Sequence, residues 1–377
     1  STRRLSVMPI QRAKPRFTDS KGTATADQLN IGQIGGRRNI VINGAMQISQ
    51  RATSATGVGG TSGVFPCVDR MKILAGTTAG RLTMSQAADV HDGFANALKF
   101  DCTTADTSTA ANEFFILRTL FEGQDVQQIK KGTSDAEKLT LSFYVKGNAS
   151  ATYTCELEDR DNSRYNSQEF SVTTSWTRVV KTFLADTTGS FGDDNAESLA
   201  INFWLHSGST YTGGTHTDNV WHTTNNQRVG DNQTSIFDST DREFFITGIQ
   251  LEVGEQATPF EHRSFGEELR LCQRYFHKQG GTPYYNIATV TNFTSGAQLG
   301  TVRHPVEMRS APSVTKSGTW AALGGDTTVN QTAVSSDSNP QASEIGFSGG
   351  SGGTSGRSSV LRFSNDANAY LHWDAEL

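Results

Sequence analysis

The sequence lacks the features that mark most enzymes, membrane proteins and secreted disulfide proteins. No segment of its 377 residues matches a P-loop, a dinucleotide fingerprint, a metal-ligand cluster or a nucleophile elbow. Its four cysteines form no C-x-x-C pair, which predicts small buried thiols in a protein made in a reducing cytoplasm. No apolar run approaches the roughly 18 residues of a membrane span, and the basic N-terminus lacks the apolar core of a secretory signal.

The composition favours short strands joined by turns. Apolar residues make up only 35%, 37 residues are glycine, and the net charge of −5 does not suggest binding to specific nucleic-acid sequences. In KLTLSFYVKG, residues 138–147, apolar side chains alternate with polar ones, and residues 151–159 and 198–207 repeat this period of two. Such strands predict an antiparallel β-sandwich. The predicted core includes Leu141, Phe143, Leu157, Ile201 and Phe203.

Residues 1–38 differ from the rest of the chain in charge. Many basic side chains face only Asp19 and Asp27, and Pro9 and Pro15 interrupt any regular pattern. These features predict an extended basic arm, which is either a solvated tail, a docking arm for an acidic partner surface, or a segment that packs against DNA. The residues that would dock are Arg3, Arg4, Arg12, Lys14 and Arg16.

The most informative stretch is FFITGIQLEVGEQATPFEHRSFGEELRLCQRYF, residues 244–276. Its alternation from 244 to 253 predicts a strand that places Ile249 on the same face as Phe245. Ser264 followed by Glu267 has the spacing of a capping box, so a helix is predicted over 263–280. The apolar stripe on that helix is a candidate contact between copies of the chain.

Several segments together resemble the tail fibres and other virion appendages of tailed bacteriophages. They are the 244–276 stretch, KKGTSDAEKLTLSFYVKG at 130–147, and NIVINGAMQISQRATS at 39–54, which itself predicts two strands around an Asn43-Gly44 turn. Residues 302–315 and the final Asp-Ala-Glu-Leu are also similar to that family. The resemblance implies a jelly-roll domain like a carbohydrate-binding module, a homotrimer, and other virion proteins as partners.

The chain is therefore predicted to be all-β with four parts. These are the N-terminal arm at 1–38, a jelly-roll β-sandwich at 39–262, a connecting helix at 263–280 and a small β unit at 281–377. Within the last part, residues 317–358 are rich in Gly, Ser and Thr, a composition that also suits a flexible loop.

A long loop at 208–226 carries the candidate carbohydrate contacts. Exposed rings of Tyr211 and Trp221 could stack on the faces of host-surface sugars, with nearby Asn and Asp side chains reading hydroxyl groups. The alternative is that Trp221 anchors the loop onto the sandwich. His216 and His222 have no third ligand at a suitable spacing, so no metal site and no cofactor is predicted.

Acidic residues offer two further possibilities. Residues 156–167 could supply oxygen ligands to calcium, but the stretch lacks the glycine and final glutamate of an EF-hand loop, and a polar hairpin is preferred. A sugar-cleaving enzyme would need two carboxyl groups across a cleft, and no pair stands out. A non-enzymatic protein is therefore predicted.

The leading hypothesis is a tail fibre or appendage subunit that attaches the virion to a host surface or joins such a fibre to the particle. The alternative is a head-surface fibre or capsid decoration protein. A polysaccharide-degrading enzyme is the third possibility. All three predict a protein located in the virion after synthesis in the host cytoplasm.

Overall fold

Strands are the main regular elements of the described residues, and eleven of them form a sandwich of two sheets. The structure, a computed structural model, describes residues 37–324, 327–331, 333–348 and 352–377. Its strand pairings in these ranges are antiparallel. The sandwich strands are β1 (Ser54–Val58), β2 (Lys72–Gly76), β3 (Arg81–Ala87), β4 (Ala97–Thr104), β5 (Phe114–Glu122), β6 (Leu139–Gly147), β7 (Ala151–Asp159), β8 (Arg164–Val172), β9 (Thr177–Phe183), β10 (Glu197–Ser207) and β11 (Glu243–Val253).

The two sheets of the sandwich have different strand orders. The six-stranded sheet runs β1-β3-β4-β11-β6-β9, and the five-stranded sheet runs β2-β5-β10-β7-β8. Strands far apart in sequence, such as β4 and β11, are neighbours in space, as in double-sheet jelly rolls. The predicted jelly-roll β-sandwich is confirmed.

The core between the sheets contains the side chains that the alternation predicted. The ring of Phe143 packs edge-on against Phe203, with centroids 5.0 Å apart. Burial of such a side chain stabilises the fold by roughly 1.5–3 kcal/mol. The four cysteines are buried and free, and burial raises the pKa of Cys67 to about 11, as expected for unreactive thiols. The predicted core residues Leu141, Phe143, Leu157, Ile201 and Phe203 are all buried.

A second β unit follows the sandwich and has its own core, in which Trp320 and Trp373 are fully buried. Strands also form in the described part of the Gly/Ser/Thr-rich segment 317–358. The strands of this second unit form two sheets. One has the order β12-β21-β15, and the other has the order β17-β16-β20-β13-β14-β19-β18. They are β12 (Phe276–Gly280), β13 (Asn286–Asn292), β14 (Gln298–Arg303), β15 (Ser313–Ser317), β16 (Trp320–Gly324), β17 (Thr327–Gln331), β18 (Ala333–Ser338), β19 (Ala342–Ser348), β20 (Ser358–Phe363) and β21 (Tyr370–Asp374).

Charged contacts join this unit to the sandwich. The guanidinium of Arg70 is buried, lies 3.4 Å from the ring centroid of Tyr275 and pairs with Glu376. Arg51 Nη2 lies 3.0 Å from Asp374 Oδ2. The division of the chain into the four predicted parts stays a prediction.

The described residues include two α-helices, α1 (Ser209–Thr212) and α2 (Phe265–Gln273). Ser264 caps α2, since its Oγ accepts a hydrogen bond from the Glu267 amide at 3.4 Å. The predicted helix over 263–280 is too long, because residues from Phe276 onward form β12 and pair with β21. Strand pairing and burial of Phe276 outweigh the helical pattern there. Among the described helices, none has the length and apolar character needed to cross a membrane.

The proposed apolar contact stripe on α2 is mostly covered by the chain itself. Cys272 and Phe276 are both buried within the single chain. A contact between copies through this stripe therefore lacks the free surface that the sequence pattern suggested, and the homotrimer stays a prediction.

The predicted hairpin around Asn43-Gly44 is wrong. The chain makes a turn there, but the segments before and after the turn do not pair with each other as strands. Backbone groups of these segments bond to β11 instead. The Ile40 amide donates to Leu251 O at 3.0 Å, and the Ile249 amide donates to Gly44 O at 2.9 Å. The side chain of Asn43 is buried and accepts from the Ile48 amide at 2.9 Å, so it closes the turn from inside.

The predicted faces of β11 are also wrong beyond its middle. Phe244 and Ile246 point into the core, and so do Ile249 and Leu251. The pairing with β6 shifts register between Thr247 and Gln250. One extra residue in a strand reverses the alternation after it, which is why a strict period of two failed here.

The basic arm lies almost wholly outside the described residues. Arg3, Arg4, Arg12, Lys14 and Arg16, the predicted docking residues, belong to that part of the chain. Their role stays a prediction.

Candidate functional site

A group of five aromatic rings lies on the outer face of the six-stranded sheet. Tyr144 belongs to this face because its neighbours in β6, Phe143 and Val145, point into the core. The centroid of Phe94 lies 5.4 Å from that of Tyr144, 5.0 Å from Phe260 and 5.2 Å from His262. His91 lies 4.3 Å from Tyr144. We call this group the aromatic patch; its residues are His91, Phe94, Tyr144, Phe260 and His262.

A single glycine makes room for the patch. Gly248 has a φ of +63° and lies within the register shift of β11. A Cβ atom at this position would lie 2.7 Å from Phe94 Cζ and 2.8 Å from Tyr144 Cδ2. Glycine alone suits both the left-handed backbone and the close approach of two rings. The Thr-Gly-Ile segment of β11 therefore produces both the bulge and the recess beneath the patch.

Two polar side chains of β11 hold the segment that carries Phe260. The carboxylate of Glu252 accepts a hydrogen bond from the Thr258 amide at 3.0 Å, while Gln250 Oε1 accepts from the Glu261 amide at 2.8 Å. These bonds fix the backbone on both sides of Phe260. Gln250 and Glu252 therefore position an aromatic ring of the patch.

The same conspicuous stretch also clamps the beginning of the described chain. Glu261 Oε2 accepts from the Asn39 amide at 2.7 Å, and Arg263 Nη1 donates to Val41 O at 2.9 Å. Glu268 Oε1 accepts from the Asn43 amide at 2.7 Å. Charged groups that satisfy backbone partners in this way are structural, so Glu261, Arg263 and Glu268 help to organise the fold.

Charged groups border the aromatic patch. The Arg178 guanidinium lies 5.9 Å from the Tyr144 centroid, and its Nη2 donates to Ser142 Oγ at 3.2 Å. Lys146 pairs with Asp89, and this hydrogen bond lowers the pKa of the Asp89 carboxyl. A carboxylate that is ionised at neutral pH and two cations therefore stand beside the rings.

The aromatic patch has the chemistry of a platform for a flat polar ligand. Four of its rings are half-buried and His262 is exposed, so the rings are held in place but still present surface to solvent. Fixed rings lose little conformational entropy when a ligand stacks on them. The neighbouring carboxylate, guanidinium and ammonium groups can exchange hydrogen bonds with hydroxyl groups of such a ligand.

Tyr211, one predicted carbohydrate contact, packs inward on the outer side of the five-stranded sheet. Its ring centroid lies 5.0 Å from Trp204 and 5.5 Å from Phe114, within a small apolar cluster. The ring is half-buried. As a carbohydrate contact Tyr211 stays a prediction.

Trp221, the other predicted contact, packs against the main core. Its Nε1–H donates to Leu184 O at 2.7 Å, and the adjoining His222 pairs with Tyr165 of β8 through two backbone bonds. The structure therefore places Tyr211 and Trp221 in separate clusters. The geometry of Trp221 matches the anchoring alternative, while its role towards a ligand stays a prediction.

Sequence reasoning missed one buried charged network on the outer side of the five-stranded sheet. Glu156 and Glu158 lie two residues apart on β7, and both accept from Asn202 Nδ2 at 2.7 Å. Arg228 donates to Glu156 at 2.6 and 2.9 Å and to Glu158 at 3.0 Å. Alternation along β7 places the two acids on one face, but only the fold supplies the arginine from the distant loop.

The network keeps the Glu158 carboxylate ionised. Burial acts to raise the pKa of Glu158, but Arg118, Arg228 and Arg160 outweigh it and lower the pKa to about 2. A general acid in glycoside hydrolysis needs the opposite shift, so that it holds a proton near neutral pH. Glu156 and Glu158 are moreover buried and offer little surface to a substrate.

The possible calcium stretch at 156–167 forms the predicted hairpin between β7 and β8. Its acid Asp159 is engaged by a cation of the chain, since Lys131 Nζ lies 2.6 Å from Asp159 Oδ2. The Asp161 carboxylate accepts from the Gly192 amide at 3.0 Å. These contacts within the chain explain Asp159 and Asp161 as structural residues, without a calcium ion.

In comparisons with known proteins, the chain is similar to solved structures only. No family model matches the chain, and no curated protein matches it. A family 4 carbohydrate-binding module shares 12% identity at a TM-score of 0.30, over 56% of this chain and 97% of that one. A family 61 module in complex with β-1,4-galactotriose shares 11% identity at a TM-score of 0.29, over 58% and 99%.

A third solved structure is the enzymatically active domain of tailspike protein 4 from bacteriophage CBA120. It shares 10% identity at a TM-score of 0.27, over 57% of this chain and 21% of that one. At such identities and scores, the similarities carry no argument about function. The description of the fold rests on the sheets themselves.

Proposed function

We propose that this protein is a non-enzymatic structural and binding protein of a tailed-bacteriophage particle. It acts as a tail fibre or appendage subunit that attaches to host-surface carbohydrate or connects such a fibre to the particle. The aromatic patch is the observation that carries the binding role, because its fixed rings and charged border suit a sugar ligand. The phage assignment is supported by the sequence resemblance over residues 39–276.

The absence of catalysis is part of the proposal. In the buried network, Glu156 and Glu158 are paired with Arg118 and Arg228. The lowered pKa of Glu158 removes the proton that a general acid must deliver. Incubation with bacterial surface polysaccharides should therefore release no new reducing ends, and their appearance would contradict this part of the proposal.

Carbohydrate binding can be tested with an array of bacterial surface polysaccharides. Tyr144→Ala removes the patch ring that lies on β6 and is expected to weaken binding about fivefold or more, taking the about 1–3 kcal/mol of base stacking on an aromatic ring as the scale for a sugar. The matched control is Tyr284→Ala, which removes a half-exposed tyrosine of the C-terminal β unit. Equal binding by the wild type and Tyr144→Ala, at unchanged melting temperature, would contradict the patch as the site.

The position of this protein in the particle distinguishes a tail appendage from a head-surface fibre. Gold-labelled antibodies against this chain should mark the tail in electron micrographs of intact particles. Labelling of the head would favour the decoration role instead.

Two further experiments test the arm and the assembly. Deletion of residues 1–36 should leave the sandwich folded but prevent its incorporation into particles. Light scattering of the purified protein should give the mass of a trimer.

A further inference from the structure

Three metal-ligating side chains meet at one end of the sandwich. Asp106 and Glu113 flank the connection between β4 and β5, and His206 lies near the end of β10. One ligand atom from each lies within 4.8 Å of the other two, and His206 Nε2 is 3.3 Å from Glu113 Oε2. All three side chains are at least nine-tenths buried.

The local charge is unbalanced. Within the described ranges, neither Asp106 nor Glu113 forms an ion pair with a lysine or arginine. By contrast, the buried acids Glu156 and Glu158 face Arg228, and Asp159 faces Lys131. Two neighbouring buried carboxylates repel each other and lose hydration, so a cation between them would stabilise the folded chain.

The surrounding hydrogen bonds already orient two of the three groups. His206 Nδ1 lies 2.7 Å from Ser235 Oγ, which also accepts from the Phe237 amide at 3.0 Å. With Nδ1–H donating to Ser235, the Nε2 lone pair points at Glu113. Asp106 Oδ2 accepts from Thr78 Oγ1 at 2.8 Å and from the Ala79 amide at 2.7 Å. Metal sites use such outer bonds to fix the tautomer and direction of their ligands.

We propose that Asp106, Glu113 and His206 bind a divalent first-row transition-metal cation such as Zn²⁺ or Mn²⁺. One imidazole nitrogen and two carboxylates suit these metals, whereas Ca²⁺ prefers six to eight oxygen ligands. The bound ion ties the β4–β5 connection to β10. It neutralises the paired carboxylates and has a structural role.

Metal binding can be tested on the intact protein with Co²⁺ as a spectroscopic probe and Zn²⁺ as a competitor. The wild type, stripped with EDTA and dialysed, should bind one Co²⁺ per chain with visible d–d absorption that Zn²⁺ abolishes. His206→Gln and Asp106→Asn should each lose this signal. The control is His216→Gln, because His216 also contacts a carboxylate, that of Asp218 at 2.9 Å, but lies outside the cluster. This control should keep the signal.

A second measurement does not depend on the folding of any variant. In the wild type, the ring-nitrogen NMR resonances of one histidine should shift on addition of Zn²⁺, and Ca²⁺ should leave them unchanged. The proposal is overturned if the wild type binds no Co²⁺ or Zn²⁺ at millimolar concentration. It is also overturned if the absorption survives in both cluster variants, since the ion would then be bound elsewhere.

Discussion

Replacing Arg228 with methionine should strongly destabilise the fold. Arg228 is the cation that meets Glu156, to which it donates at 2.6 and 2.9 Å. Glu158 keeps Arg118 and Arg160 as partners, but among the described residues Glu156 would retain hydrogen bonds only from the neutral donors Asn202 and Trp204. An ionised carboxylate left unpaired in this buried position costs about 3–5 kcal/mol of the free energy of unfolding at pH 7.

The loss should depend on pH. In the wild type, the Glu158 pKa is lowered from 4.5 to about 2, which contributes about 3 kcal/mol above pH 4.5 and is lost as the pH falls towards 2. Arg228 is one of the cations that lower this pKa, so in Arg228→Met the Glu158 pKa moves back towards its unfolded value and part of that contribution disappears. The difference in stability between the two proteins should therefore be larger at pH 6 than at pH 3.

Urea unfolding of both proteins at the two pH values measures this difference. The matched control is Arg160→Met, which removes a cation of the same network whose side chain is 33% exposed. Solvent screens this pair, and the expected loss is below about 1 kcal/mol. If Arg228→Met loses no more than Arg160→Met, or if its loss is the same at both pH values, the reasoning from the buried charged network fails.

Three further substitutions test the core, the loop and the patch. Phe203→Ala should lower the free energy of unfolding by about 3–5 kcal/mol in urea titrations, because Phe203 is fully buried; the exposed Val180→Ala should change it by less than about 0.5 kcal/mol, and a similar value for both would refute the core assignment. Trp221→Ala should lower the melting temperature, as expected for an anchor, whereas unchanged melting with lost polysaccharide binding would instead support a sugar platform. Gly248→Ala should cost about 1–3 kcal/mol in thermal unfolding, since its Cβ would meet Phe94 at 2.7 Å and strain the backbone at a φ of +63°; an unchanged melting temperature would contradict that account.

Much of the sandwich could be predicted from the sequence because its strands are long and one-sided. Phe143 and Phe203 lie at alternating positions whose burial follows directly from a period of two. The cap of α2 was also predictable, because a serine side chain needs only a local amide as its partner. These are short-range rules, and they succeed where tertiary contacts agree with them.

The failures have physical causes. The bulge at Gly248 reverses the faces of β11, and a glycine inside a strand signals a bulge without giving its register. Phe276 leaves the helical pattern because its partner strand β21 lies almost a hundred residues later in the chain. No local signal predicts such a distant pairing.

The candidate sites were harder to find from the sequence. The aromatic patch combines rings from the β3–β4 connection, β6 and the segment after β11, which no single spacing connects. Phe260 lies within the 244–276 stretch, but the pattern of that stretch indicated a strand and a helix and gave no sign of the patch. Asp106, Glu113 and His206 likewise come together through the fold, so a search for closely spaced ligands had no means of finding them.

The position of β11 has a consequence for how the protein can be made. It is the last strand of the sandwich to leave the ribosome, yet it lies between β4 and β6 in the middle of its sheet. Until about residue 253 has emerged, β4 and β6 each present an open edge, and unpaired edges recruit other chains. In a nascent chain, or in a fragment cut before residue 243, the six-stranded sheet would therefore be left as two separate parts, β1-β3-β4 and β6-β9, whose open edges are prone to aggregation.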